Sequence, residues 1–167
     1  MGRSSKMVKR GLVSVIIPTR NRPESLRRTL QDIFSQSYRN LEVIVVDDGS
    51  EVDISKATQG YPIRAIRLQK HGGANVARNI GFQQSKGEFL FFCDDDVELE
   101  PHFLEKMVGA LKSNPDKAYA YCGLEMDGKI LGMEQFDSER LRKENYISGI
   151  SLIRRSRFPG FDPQIKR

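Results

Sequence analysis

Residues 88–96, EFLFFCDDD, are the stretch that decides the fold of this chain. The five apolar residues 89–93 predict a strand buried on both faces, and three aspartates follow without a break. Such strands are typical of parallel sheets covered by helices on both sides. Ligands of these sheets bind at the carboxyl ends of the strands, so we expect a site at the three aspartates.

Two earlier segments repeat this pattern of an apolar run followed by a polar cluster. Residues 12–17 (LVSVII) and 41–46 (LEVIVV) predict buried strands, which lead into Thr19-Arg20-Asn21 and Asp47-Asp48. Further predicted elements are strands over 63–68 and 118–124, weaker strands over 129–136 and 146–153, and helices from Pro23, over 74–84, from Pro101 and over 138–143. The alternation predicts an α/β fold with a mainly parallel sheet and helices on both faces.

Length and composition exclude several classes of protein. The chain has 167 residues, 38% of them hydrophobic, which suits one domain with its own core. Two cysteines, Cys93 and Cys122, are too few for a disulfide framework, and they lack the spacing of a zinc site. No apolar run approaches the roughly 20 residues of a membrane span.

The net charge of +5 is concentrated at the two ends. Residues 1–10 contain four basic and no acidic residues, and residues 154–167 contain five basic residues and one acid. We expect residues 1–11 to form a flexible basic leader. The basic segment 154–157 is suited to contact with anionic lipid. Nucleic acid is not expected as a partner, because aromatic residues are not interleaved with the basic ones.

The aspartate triplet allows two interpretations. Asp94 and Asp96 form a D-x-D pattern, and alternate side chains of an extended segment point the same way. Their hard oxygen ligands favour Mg²⁺ or Mn²⁺, with a diphosphate supplying further oxygens. The alternative is a solvated acidic turn before a helix, whose positive N-terminus suits Glu98 and Glu100.

Two smaller motifs complete the candidate site. Asp47-Asp48-Gly49-Ser50 is either a plain turn or a carboxylate that binds a base or a sugar hydroxyl. His71-Gly72-Gly73 predicts a loop whose backbone can approach a phosphate closely. The phosphate-binding loop of nucleotide hydrolases and the dinucleotide-binding fingerprint are both absent from the sequence.

Taken in order, residues 13–30, 35–50 and 72–97 resemble family 2 glycosyltransferases with the GT-A fold. The resemblance covers residues 12–124 well and extends more weakly to residue 165. It implies a nucleotide-diphospho-sugar transferase fold with a Rossmann-like central sheet and a D-x-D motif at a strand end. It assigns residues 12–125 to nucleotide-sugar binding and residues 126–167 to the start of a truncated acceptor side.

The resemblance also implies roles for individual residues. Nucleotide-binding positions are Pro18, Thr19, Arg20, Asp47, Asp48, Arg78, Asn79, Asp94 and Asp95. Arg20 departs from the family, in which many members have an aromatic residue. Asp96 is the expected metal ligand together with Asp94. Ser148 and Gly149, with Ser151 nearby, match the small-residue segment on the acceptor side.

The implied reaction transfers a sugar, most commonly from a UDP-sugar, to an acceptor hydroxyl with inversion and with Mn²⁺ or Mg²⁺ as cofactor. The acidic motif that supplies the catalytic base in the family is not found in this chain. The implied partners are a nucleotide-sugar donor and a saccharide or lipid-linked acceptor of polysaccharide or glycolipid biosynthesis. The implied location is the cytoplasm, with peripheral attachment to the inner face of the membrane.

Two alternatives stay open on the sequence alone. Because the base is not found, this chain is a candidate nucleotide-sugar-binding fragment without transfer activity of its own. A nucleotidyltransferase would also place carboxylates and Mg²⁺ at strand ends. It would need a long glycine-rich activating loop after the first strand, whereas residues 18–23 are few and contain no glycine.

Overall fold

A computed structural model describes most of the chain, although residue 133 of the predicted strand over 129–136 and residue 148 of that over 146–153 lie outside the described residues. The residues described are 7–126, 128–132, 134–144, 146–147 and 149–165. Within them, a six-stranded sheet has the order β3-β2-β1-β4-β8-β5, and a separate hairpin pairs β6 with β7. The strands are β1 (Lys9–Thr19), β2 (Leu41–Asp47), β3 (Ile63–Arg67), β4 (Gly87–Phe92), β5 (Tyr119–Tyr121), β6 (Leu124–Met126), β7 (Lys129–Leu131) and β8 (Ser151–Arg154).

Strands β1 to β4 are parallel neighbours, which confirms the mainly parallel sheet. β8 pairs antiparallel with both β4 and β5, so it lies between these two strands in the sheet. The carboxyl ends of β1, β2 and β4 therefore meet at one edge of the sheet, as the sequence predicts. That edge carries all three polar clusters.

Helices cover both faces of the sheet, as predicted from the apolar pattern. They are α1 (Pro23–Ser35), α2 (Ser55–Thr58), α3 (Ala74–Gln84), α4 (Phe103–Ser113) and α5 (Ser138–Lys143), followed by a 3₁₀ turn at Arg155–Arg157. On one face Val15 and Phe91 pack against side chains of α1 and α4 such as Leu30 and Leu104. On the other face Ile44 packs on Ala77 of α3.

The close approach of α3 to the sheet depends on Gly81. A Cβ atom at this position would lie 2.4 Å from Cγ2 of Ile16 in β1. No side chain fits there without a shift of the helix. The glycine thus holds α3, and the loop before it, against the edge of the sheet.

Several strand bounds differ from the sequence prediction. β1 begins at Lys9 rather than residue 12, because Lys9 donates to the carbonyl of Lys86 and Gly11 donates to the carboxylate of Glu88. Lys9 to Gly11, which the sequence analysis placed in a flexible leader, are therefore strand. The predicted strand over 118–124 is divided into β5 and β6.

The last third of the chain takes part in the central sheet. The predicted strand over 146–153 is shorter, and β8 lies between β4 and β5 with Leu152 fully buried. The predicted strand over 129–136 is reduced to β7. Residues 126–167, expected to begin an acceptor side, thus also contribute a core strand next to β4.

Candidate functional site

A cleft of about 270 Å³ lies where β1, β2 and β4 end. Seven of the residues predicted from the sequence line it: Pro18, Thr19, Arg20, Asp48, Asp94, Asp95 and Asp96. Arg22, His71 and Ala74 complete the lining. Sequence reasoning gave Arg22 and Ala74 no role in the site, and it included His71 only as part of the glycine loop.

The three aspartates after β4 divide into one buried and two accessible carboxylates. The side chain of Asp95 is 6% exposed, whereas those of Asp94 and Asp96 are 54% and 56% exposed. β4 ends at Phe92, and Asp95 and Asp96 lie in the turn that follows it. Asp94 and Asp96 face the solvent of the cleft, and Asp95 faces the protein.

Asp95 joins the ends of β4 and β1. Its carboxylate accepts a hydrogen bond of 2.6 Å from the Thr19 hydroxyl and one of 3.3 Å from Nη1 of Arg22. Burial raises the pKa of the Asp95 carboxyl, while the Thr19 hydrogen bond and the Arg22 charge act in the opposite direction. Asp95 and Thr19 therefore stabilise the shape of the cleft as well as lining it.

Each accessible carboxylate is paired with an arginine. Nη1 of Arg22 lies 2.9 Å from Oδ2 of Asp96, and Nη2 of Arg78 lies 2.6 Å from Oδ1 of Asp94. The carboxylates of Asp95 and Asp96 raise the pKa of Arg22, so its guanidinium stays charged. The charge of the triplet is therefore largely balanced by side chains from α3 and from the residue before α1.

Asp48 organises the loop on the opposite wall. Its side chain is 5% exposed and lies 2.7 Å from Nδ1 of His71, and it accepts backbone hydrogen bonds of 2.7 Å from Gly72 and 2.9 Å from Gly73. The sequence analysis expected this glycine loop to offer its backbone to a phosphate. Both of these amides instead bind the Asp48 carboxylate, which fixes the loop to the end of β2.

Asp47 does not line the cleft, although it was predicted to bind the nucleotide. Its side chain is buried, and Oδ1 accepts a hydrogen bond from the Ser50 amide at 2.9 Å. Its Oδ2 lies 3.6 Å from Nε of Arg67. Neighbouring residues of a strand point to opposite faces, so only Asp48 can face the cleft while Asp47 holds the turn that follows.

The side chain of Asn79 also forms hydrogen bonds within the protein, although Asn79 was predicted to flank the nucleotide. Its side chain donates to the carbonyl of Phe161 at 2.8 Å and accepts from the Phe161 amide at 2.9 Å. Asn75, one turn earlier on α3, donates to the carbonyl of Asp162. The two asparagines thus tie the segment after β8 to α3.

Arg78 lies between this segment and the cleft. Its guanidinium donates to Asn75 at 3.1 Å, lies 5.5 Å from the centre of the Phe161 ring, and pairs with Asp94. Arg78 therefore contacts the predicted site through the carboxylate of Asp94, and it does not itself line the cleft.

Arg20 and Asn21 connect the first two loops of the site. Nη2 of Arg20 lies 3.7 Å from the carboxylate of Glu51. Asn21 adopts a left-handed backbone conformation with φ of 57°, and its side chain accepts from the Glu51 amide at 2.7 Å. Asparagine tolerates this conformation better than most residues, so it can fix the loop after β1 against the loop after β2.

On the predicted acceptor side, Ser148 lies outside the described residues. Gly149 is exposed, with open space where a Cβ atom would project. It lies two residues before the start of β8, whose Leu152 pairs with Phe91 of β4. Because the two strands are antiparallel, Gly149 lies toward the edge of the sheet that carries the aspartates.

The basic segment after β8 has internal partners. Arg154 donates to the carbonyl of Leu111 in α4 and to that of Lys117 in the loop before β5, and Arg155 donates to the carbonyl of Gly87 at 2.6 Å. Arg157, in contrast, is exposed. Two of the three arginines expected to meet a membrane thus stabilise the fold. None of the described helices has the length and apolar character needed to cross a bilayer.

Arg22 was not assigned to the site from the sequence, although its position could have indicated a role. It follows the polar cluster after β1 and directly precedes Pro23, the first residue of α1. A residue at that junction projects over the edge of the sheet. His71 was considered only as part of the glycine loop, and the contact of its side chain with Asp48 depends on a loop fold that spacing alone does not predict.

Two curated relatives are similar to most of this chain. TarP of Staphylococcus aureus, a poly(ribitol-phosphate) β-N-acetylglucosaminyltransferase, is 33% identical over 144 residues, which cover 81% of this chain and 44% of TarP. The GalNAc(5)-diNAcBac-PP-undecaprenol β-1,3-glucosyltransferase of Campylobacter jejuni is 32% identical over 146 residues, with coverages of 81% and 45%. The chain spans about half the length of the curated relatives it matches.

Solved structures show the same fold. TarS of S. aureus in complex with UDP aligns with a TM-score of 0.72 and 22% identity, covering 86% of this chain and 47% of that one. The mannosyltransferase PcManGT of Pyrobaculum calidifontis, in complex with GDP-Man and Mn²⁺, aligns with a TM-score of 0.71 and 20% identity, covering 92% and 48%. The fold is therefore GT-A, as the resemblance implied. The family model for glycosyl transferase family 2 matches residues 14–158, which shows that the chain belongs to this family.

Proposed function

We propose that the cleft binds a nucleoside-diphosphate sugar, most simply a UDP-sugar, together with Mn²⁺ or Mg²⁺, and that the chain is the donor-binding part of an inverting glycosyltransferase. The observation that carries the proposal is the pair of accessible carboxylates, Asp94 and Asp96, facing Asp48 across the cleft. Two proteins of the same fold, TarS and PcManGT, have been solved in complex with UDP and with GDP-Man and Mn²⁺, respectively. Family membership supports the sugar-nucleotide donor.

The residues present suit a hard divalent cation. Asp94 and Asp96 offer oxygen ligands at the mouth of the cleft, and Asp95 is buried behind them. In the part of the chain that the structure describes, no three acidic, histidine or cysteine side chains are arranged to hold an ion. Magnesium commonly uses one or two carboxylates and completes its shell with water and substrate phosphates, so two aspartates suffice when a diphosphate is bound.

On the nucleotide side, Asp48 and Pro18 are the candidate contacts. The Asp48 carboxylate is fixed by three hydrogen bonds, so it can present a remaining lone pair to a base N–H without rearrangement. Arg20 can stack its planar guanidinium on a base, in place of the aromatic residue common in the family.

The proposed chemistry is an in-line displacement at the anomeric carbon. An acceptor hydroxyl oxygen forms a new bond to that carbon while the bond to the diphosphate oxygen breaks, and the configuration inverts. The acceptor proton passes to a base that we assign to no residue of this chain. Negative charge develops on the leaving diphosphate, where Arg22 and Arg78 can stabilise it. A bound divalent cation supplies further charge stabilisation.

The acceptor is proposed to be a saccharide or a lipid-linked saccharide of polysaccharide or glycolipid biosynthesis. The Campylobacter relative is named for an undecaprenol-linked acceptor and TarP for a poly(ribitol-phosphate). Such acceptors would place the protein in the cytoplasm at the inner face of the membrane. The second candidate is a nucleotide-sugar-binding unit without transfer activity, because no residue of this chain is assigned as the catalytic base.

A thermal-shift panel tests the donor site. UDP, GDP, dTDP and ADP are each added with Mn²⁺, Mg²⁺ or EDTA. A nucleotide at about 100 times its Kd stabilises the fold by roughly 2.7 kcal/mol, equivalent to about 5–10 °C at this size. We expect a shift with UDP that disappears in EDTA and in Asp96→Asn. Asp116→Asn, an exposed aspartate beyond α4, should keep the shift. A panel without any nucleotide-dependent shift would contradict the proposal.

A further inference from the structure

Arg22 bridges two of the three aspartates with a single nitrogen. Its Nη1 lies 2.9 Å from Oδ2 of Asp96 and 3.3 Å from Oδ1 of Asp95. A cation that uses Asp96 must share this carboxylate with Arg22 or displace it. When no nucleotide is bound, Arg22 therefore competes with the cation for the carboxylate of Asp96.

The two arginines at the triplet differ in how firmly they are held. The Arg78 side chain is 19% exposed and is fixed by Asn75 and the Phe161 ring. The Arg22 side chain is 58% exposed, and its guanidinium hydrogen bonds to described residues go to Asp95 and Asp96 alone. Arg22 can therefore change partners without disturbing the fold, whereas Arg78 is a fixed counter-charge.

Charge balance indicates when Arg22 should move. Three carboxylates and two guanidiniums leave one net negative charge at the triplet. The two guanidiniums therefore weaken the attraction of the triplet for a divalent cation, compared with three uncompensated carboxylates. A diphosphate arriving with the cation restores the balance, and it offers Arg22 oxygens that a guanidinium binds well.

We propose that Arg22 makes metal and nucleotide binding mutually dependent. Without ligand it neutralises Asp95 and Asp96 and weakens the binding of a free divalent cation. When a diphosphate is present, Arg22 pairs with the phosphate oxygens and releases Asp96 to the cation. This inference rests on the proposed function, since it takes a nucleoside diphosphate as the ligand of the cleft.

The test compares R22Q with R27Q, which removes the same charge from an exposed position one turn later on α1. Free Mn²⁺ is titrated by electron paramagnetic resonance with each protein alone, and UDP affinity is measured with and without Mn²⁺. We expect R22Q to bind Mn²⁺ alone about three- to fivefold more tightly, the range of an exposed ion pair. By linkage, the factor by which Mn²⁺ strengthens UDP binding should fall by the same three- to fivefold in R22Q, because there is no longer an arginine that the diphosphate draws away from Asp96.

R27Q should match the wild-type chain in both titrations, and R22K, which keeps the charge, should match it in the Mn²⁺ titration. Circular dichroism melting of each variant verifies the fold. Equal Mn²⁺ affinity in R22Q and R27Q, or an unchanged coupling factor in R22Q, would overturn the inference, because linkage requires any competition to appear in both. If wild-type protein binds no UDP with Mn²⁺, the proposed function fails, while the Mn²⁺ titration alone still decides whether Arg22 competes for the carboxylates.

Discussion

The hydroxyl of Thr19 donates a 2.6 Å hydrogen bond to the buried carboxylate of Asp95, and this contact ties the end of β1 to the end of β4. The two residues are 76 positions apart in the chain. Their contact fixes the distance between the loop that carries Arg22 and the loop that carries Asp94 and Asp96. The shape of the cleft therefore depends on it.

Replacing Thr19 with valine should destabilise the protein by about 1–3 kcal/mol, because a buried carboxylate loses a hydrogen-bond donor while the volume is kept. Urea unfolding measures the loss. Thr19→Ser restores the hydroxyl and should recover most of it. A loss in Thr19→Ser as large as that in Thr19→Val would contradict the dominant role of the hydrogen bond.

Two helix glycines should respond to alanine in opposite directions. Gly81→Ala places a Cβ 2.4 Å from Ile16 and should destabilise the protein by about 1–3 kcal/mol through overpacking. Gly109→Ala, inside α4 with open space around the new atom, should stabilise it by about 0.5–1 kcal/mol. Thermal unfolding of both variants decides the matter. Destabilisation by Gly109→Ala, or none by Gly81→Ala, would contradict the described packing.

Asp48→Asn should weaken UDP binding about tenfold, since the amide nitrogen would face backbone donors from the 71–73 loop. Isothermal titration in Mn²⁺ measures the change. Asp53→Asn, an exposed substitution in the loop after β2, serves as the control and should leave the affinity unchanged. An unchanged affinity in Asp48→Asn would remove this residue from the nucleotide site.

Arg154 and Arg157 should differ sharply when neutralised. Arg154→Gln loses hydrogen bonds to the carbonyls of Leu111 in α4 and Lys117 after it, and should cost about 2 kcal/mol of stability. Arg157→Gln is a surface change expected within about 0.5 kcal/mol. Urea unfolding compares the two variants. Equal stabilities would contradict the structural role of Arg154. Of these two variants, Arg157→Gln is the one that can test liposome binding without changing the fold.

Much of the fold could be predicted from the sequence because its strands are continuous apolar runs and its helices have clear starts, such as Pro23 at the beginning of α1. The edge that carries Asp48 and Asp94 follows from parallel strands alone. The partner of Asn79 could not be predicted, because Phe161 lies 82 residues away and reaches α3 through β8. Asp47 and Asp48 are adjacent in the sequence but have different roles. The alternation of side chains along a strand predicts which of the two faces the cleft only when the covered face of the sheet is known.

The division of roles among basic residues was equally hard to predict. Arg22, Arg78 and Arg154 are the same type of residue but have different partners. Arg22 pairs with Asp96 in the cleft, and Arg78 pairs with Asp94 from α3. Arg154 donates to the carbonyl of Leu111 in α4. These roles depend on contacts between elements distant in sequence. Charge counting could locate the basic segments but not their partners.

The central claim is that UDP and a divalent cation share the cleft where β1, β2 and β4 end. Paramagnetic broadening of backbone amide signals by Mn²⁺ in the presence of UDP tests it directly in this 19.0 kDa chain. The account predicts that broadening is strongest at residues 94–96, extends to residues 19–22 and 71–73, and spares β5 and the far end of α4. Broadening centred elsewhere, or the same pattern in Asp96→Asn, would contradict it.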